Sequence, residues 1–157
     1  RYPLHDVERR SFPRSGTSLP RGVLAASVDL GGGERLRFLT VHLPPGGTLP
    51  ERRGRVATLL EVWGGEPATV VAADTNAPPA STTMRELIAA GLRPVWSDAS
   101  DPGFTYPSDA PRAKIDWLLA SPDLVSSEAQ VVLTAASDHL PLVAVIAVRA
   151  VDAATPD

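Results

Sequence analysis

Four short apolar runs in this chain are each closed or interrupted by residues that an apolar strand should not contain. His42 follows Leu39-Thr40-Val41, and Asp74 and Asn76 follow Val70-Val71-Ala72-Ala73. Asp116 sits inside Ile115-Asp116-Trp117-Leu118-Leu119, and Asp138-His139 stands just before Leu140-Pro141-Leu142. A carboxylate in a buried strand is costly unless it is paired or ligates a metal. Four such interruptions, two of them with His, suggest strands that converge at one sheet edge, and in open α/β sheets that edge is where ligands bind.

The rest of the patterning supplies the sheet. Residues 22–30 alternate and are rich in Val and Ala, which predicts a strand. The Gly31-Gly32-Gly33 turn leads into a second strand over 35–43, and the two read as a hairpin. With Leu36 and Phe38 on one face and Leu39, Val41 and Leu43 on the other, the second strand reads as buried on both faces. Val56, Leu59, Leu60 and Trp63 fall at helical spacing over 51–63, with arginines opposite, and Gly64-Gly65 ends that helix. A buried strand is expected over 68–73. A second helix, capped by Ser81, should run to Ala90 with Met84, Leu87 and Ile88 inward. Residues 92–113 read as irregular, and 114–121, 129–134 and 142–148 as strands. Residues 1–21, polar and Pro-rich, read as an extended arm or loop. One domain over 1–149 with a disordered tail over 150–157 is expected, in a layered α/β or α+β fold with a mixed sheet.

Composition narrows the chemistry. With 43% hydrophobic and 21% charged residues over 157 positions, the chain is globular in kind. The absence of Cys excludes a disulfide scaffold, a thiolate zinc site and a Cys nucleophile. A net charge of −3 argues against a surface that coats nucleic acid nonspecifically. No Gly-x-Ser-x-Gly elbow is present, so a serine hydrolase fails. No apolar run reaches the roughly 20 residues of a bilayer span, and no leader is visible; the compartment stays open, cytoplasmic or exported. What remains is a set of carboxylates, an amide and two imidazoles. Hard cations such as Mg²⁺ or Mn²⁺ take such oxygen ligands, and metal-assisted phosphoester hydrolysis uses them. Plainer readings stand beside this one. Asp74 and Asn76 could form an Asx-turn ahead of Pro78-Pro79, Asp116 could pair with Lys114, and His42 could be a satisfied strand-end residue.

Thr40-Val41-His42-Leu43, Asp74-Thr75-Asn76, Lys114-Ile115-Asp116-Trp117 and Ser137-Asp138-His139-Leu140-Pro141-Leu142 occur in an order and spacing that resembles the endonuclease/exonuclease/phosphatase superfamily, which includes deoxyribonuclease I, exonuclease III, sphingomyelinases and inositol-polyphosphate phosphatases. The resemblance implies an αββα four-layer sandwich of two packed mixed sheets with a Mg²⁺ (or Mn²⁺) site at one end. It implies that His139 is general base or phosphate contact, oriented by Asp116, and that Asp138 helps hold the metal. Asp74 and Asn76 would position water, phosphate and metal, His42 would contact the phosphate or assist the leaving group, and Lys114, on charge alone, would be a phosphate contact. The substrate would be a phosphoester: nucleic acid, lipid headgroup, or small diester or monoester. The alternative is a noncatalytic interaction module that kept the fold.

Two departures from the superfamily pattern stand out. Ala73-Asp74-Thr75-Asn76 replaces Gly-Asp-hydrophobic-Asn, which suggests looser packing beneath the site. The early Asn and the metal-binding Glu of the superfamily have no counterpart, and Glu8 in its arginine-rich arm is not taken as a substitute. The expectation is that residues 1–149 form the carboxy-terminal portion of the domain, incomplete at the amino-terminal side. The upstream half would be its partner, and no stable protein partner is inferred.

Overall fold

The computed structural model describes residues 2–13, 19–96 and 101–148; the expected tail over 150–157 lies outside the described residues. Strands β1 (Leu4–Ser11), β2 (Gly22–Gly31) and β3 (Glu34–His42) form an antiparallel meander. Helix α1 (Leu49–Trp63) crosses to β4 (Thr69–Asp74), which lies parallel to β3. Helix α2 (Thr82–Ala89) leads to the two-residue β5 (Arg93–Pro94) and to β6 (Asp116–Ala120), which is antiparallel to β4. The resulting six-stranded mixed sheet has the order β1-β2-β3-β4-β6-β5. A separate antiparallel pair, β7 (Leu124–Val131) and β8 (Leu142–Val148), forms a second sheet.

Residue parity assigns the layers. Val23, Ala25, Leu39, Val41, Val71, Ala73, Trp117 and Leu119 share one face and pack on Val56, Leu59, Trp63, Met84 and Leu87 of the two helices. The opposite face carries Leu36, Val70, Leu118 and Ala120, and it meets Leu124, Ala129, Ala144 and Ile146 of the second sheet. The fold is thus a mixed α+β arrangement of two packed sheets with few helices. The second sheet covers only part of the six-stranded one, since Leu24 and Phe38 remain exposed.

Both helices start as their sequences direct. Thr48 and Glu51 make a reciprocal capping box, and Gly64 closes α1 with φ 63°. Ser81 caps α2 by accepting from the Met84 N–H at 3.2 Å.

Several expectations are corrected. Residues 4–11 are a strand, not an arm. None of β1's side chains is buried, so it carries no apolar alternation; it is held by the ladder to β2 and by ion pairs from Arg35 to Asp6 and from Arg37 to Glu8. The strand expected over 129–134 begins earlier, at Leu124, where Ser126, Ser127 and Glu128 on an exposed stretch hide it. β3 is buried on the helix face only, with Phe38 and Thr40 exposed on the other. Ile88 points outward from α2, whereas Arg55 of α1 is buried and donates to the Gly46 carbonyl at 3.3 Å. The irregular stretch also holds β5 and a bridge between Tyr106 and Ala113.

Candidate active site at the strand ends

The mixed topology explains why distant residues meet. β3 and β4 run parallel and end at the same edge; β6 runs against them and begins there. Consequently His42, Asp74 and Asp116 occupy one register row, His42 opposite Asp74 and Asp74 opposite Asp116. Directly paired residues project from the same face, here the face turned away from the helices.

His139 reaches this row from the loop between β7 and β8. That loop is tied to the 105–108 segment by backbone bonds, Leu140 N–H to Thr105 O and Ser108 N–H to Asp138 O, each at 2.8 Å. Ser137 Oγ accepts from the His139 N–H at 3.1 Å. His139 Nδ1 then lies 2.8 Å from Asp116 Oδ2, and Thr105, fully buried, donates its hydroxyl to the same oxygen at 2.6 Å. The Tyr106 ring sits 4.8 Å from the His139 ring, centroid to centroid. Burial alone would lower the His139 pKa. The hydrogen bond to Asp116 and the charges of Asp116, Asp74 and Asp138 outweigh it, and the net effect raises the imidazole above its ordinary value.

His42, exposed at the end of β3, turns Nε2 toward Asp74 Oδ2 at 3.2 Å and toward Asn76 Nδ2 at 3.1 Å. Asn76 adopts φ +48°, which Asn tolerates better than most residues. Its amide donates to Leu43 O at 2.9 Å, and its backbone N–H bonds Asp74 Oδ1 at 2.9 Å. Thr75 does not loosen the packing below. It is buried, its backbone N–H and hydroxyl both contact Ile115 O, at 2.9 and 3.0 Å, and this ties the loop after β4 to the residue before Asp116.

Asp74, Asp116 and His139 present ligand atoms that all lie within 4.8 Å of one another. They open on a cleft of about 860 Å³ that His42 also lines. Asn76, Lys114 and Asp138 are not among the lining residues. The Lys114 ammonium is buried, bonded to Trp96 O at 3.3 Å and lying 4.7 Å from the Trp117 ring centroid. Desolvation lowers its pKa, against the opposing charge of Asp101. Asp138 is exposed, with Ser137 Oγ 3.4 Å from its Oδ1. Thr105 and Tyr106 were not legible as site residues. They sit in a stretch without periodicity, eleven and ten residues ahead of Asp116, with no local signal of contact.

The match to the endonuclease/exonuclease/phosphatase family covers residues 1–139. The chain belongs to that family. Its members hydrolyse phosphoesters, and divalent-metal dependence is general among them. Solved structures agree on the fold. An endonuclease/exonuclease/phosphatase from Beutenbergia cavernae superposes with a TM-score of 0.77 at 20% identity, over 94% of this chain and 46% of that one. The human Nocturnin catalytic domain gives 0.74 at 18% identity over 94% and 60%. A mannosyl-6-phosphatase from Bacteroides thetaiotaomicron gives 0.72 at 16% over 90% and 67%. The chain therefore spans about half the length of the first of these family members. No curated protein matches.

Proposed function

We propose that this chain carries the hydrolytic end of a divalent-metal-dependent phosphoester hydrolase, in which water attacks phosphorus in line. The observation that supports this reading most is the convergence of Asp74, Asp116 and His139 on one cleft, from β4, β6 and the β7–β8 loop. Two carboxylates beside an imidazole suit Mg²⁺ or Mn²⁺, and they fit no structural zinc site built from thiolates. Asp74, joined by Asn76 from the same loop, would hold the ion. When bound, it would offset phosphate charge and acidify a water molecule.

The chain's own residues have the following roles. Asp116 accepts from His139 Nδ1–H and so fixes the tautomer that leaves Nε2 to take a proton from water. Thr105 holds the Asp116 carboxylate in that orientation. His42, which lines the cleft, donates to phosphate oxygens, where its hydrogen bond strengthens as charge develops, and Asn76 steadies the His42 ring from beside the cleft. Asp138 acts on His139 through its charge. Lys114 serves packing between Trp96 and Trp117.

The test is turnover of bis-p-nitrophenyl phosphate after exhaustive chelation, followed by titration of Mg²⁺ and of Mn²⁺. Activity that vanishes on chelation and returns with either ion is expected. Turnover that persists without metal, or that survives His139→Ala unchanged, overturns the reading.

A further inference from the structure

Arg9 differs from the arginines nearest it on β1 and β3. Arg10 and Arg37 pair with Glu8, Arg37 also with Glu66, and Arg35 with Asp6. Arg9 has no acidic partner among the described residues. It lies opposite Leu24 in the β1–β2 register, so it projects from the face turned away from the helices, the face that also bears His42, Asp74 and Asp116. There it lines the same cleft as the candidate active site, together with Arg21.

The two arginines stand at different depths. Arg21 Nη1 donates to Leu43 O at 3.1 Å, the carbonyl that also accepts from the Asn76 amide, so Arg21 belongs to the strand-end row. Arg9 lies farther off. β1 is the third strand from β4 and Arg9 lies two residues along the strands from the Asp74 row, which at ~4.8 Å per strand and ~3.4 Å per residue puts its backbone about 16 Å from that of Asp74. The long side chain shortens that gap toward the separation of two phosphates on one small molecule. An unpaired guanidinium offers a planar fork of donors that matches phosphate oxygens.

We propose that Arg9, with Arg21 between it and the strand-end row, binds a second, non-scissile phosphate of the substrate, so that the cleft selects phosphoesters carrying at least two phosphate groups. This rests on the site being a phosphoester hydrolase centre and names the substrate class of that same site.

Two probes differ by one phosphate: thymidine 5′-phosphate and thymidine 3′,5′-bisphosphate. Calorimetric titration of each, in Mn²⁺, into the protein should show the bisphosphate binding about tenfold tighter, the worth of one charge-assisted contact. In Arg9→Gln the preference should fall to about twofold or less, and Arg9→Lys should restore part of it. Equal affinities in the unaltered protein, or a preference that Arg9→Gln leaves intact, overturn the proposal. Release of inorganic phosphate from thymidine 3′,5′-bisphosphate in Mn²⁺ separates the two readings. If the unaltered protein releases none, the hydrolase reading falls, while the binding preference still decides the role of Arg9.

Discussion

His139 Nδ1 and Asp116 Oδ2 lie 2.8 Å apart, although one residue sits in the loop before β8 and the other at the start of β6. The pair places a carboxylate behind an imidazole, and removing either member should disable the same proton transfer. Asp116→Asn is expected to lower kcat by about 10³-fold, within the range for general acid–base groups. The double variant with His139→Ala should be little worse than the worse single variant. Steady-state kinetics of the three proteins decide it; multiplicative losses would show that Asp116 does not serve His139.

Thr105→Val keeps shape but removes the hydroxyl that donates to Asp116 at 2.6 Å. Stability should fall by about 1 kcal/mol, and kcat by about tenfold with KM little changed. Denaturant unfolding and initial rates measure the two effects. Unaltered kcat would remove Thr105 from the positioning of Asp116.

The raised pKa of His139 has a definite sign in stability. The folded state holds the proton more tightly than the unfolded state, so the contribution is full below the ordinary His value and is lost as pH rises through the folded pKa. In chelated protein, the Tm difference between the unaltered chain and His139→Gln should therefore be larger near about pH 5.5 than near about pH 8.5. Scanning calorimetry at both pH values is sufficient, and an inverted trend would contradict the assignment.

Asn76 combines a left-handed backbone with an amide aimed at the site. Asn76→Gly should lose activity and the amide's bond to Leu43 O, but keep the left-handed backbone without strain. Asn76→Ala should lose the same and be about 1 kcal/mol less stable than Asn76→Gly. Melting curves separate the two variants; equal stability would mean that the conformation relaxes.

The residues of the strand-end row were legible because each breaks an apolar run, and a polar break in a buried strand needs a partner. Asp116 was ambiguous on that basis, since Lys114 lies two positions away on the same side of an extended chain. The structure gives it His139 and Thr105 instead, and turns Lys114 onto Trp117. β1 was illegible because no face of it is buried, and its stability is a matter of backbone pairing and ion pairs that leave no periodic trace. Thr105 and Tyr106 reach the site through a stretch whose described residues hold β5 and the Tyr106–Ala113 bridge, so no local signal marks them.

The alternation along β6 has a consequence for the evolvability of this cleft. Asp116 and Leu118 face one way, Trp117 and Leu119 the other, the latter pair seated among the helix side chains. A one-residue slip of β6 would drive the carboxylate toward the helix side of the sheet and put Ile115 or Trp117 opposite Asp74. The anchor that prevents it is the grip of Leu119 and Trp117 on the opposite side of the sheet. Changes in the helices that loosen this grip will surface as errors in the geometry of the strand-end row, far from any polar residue.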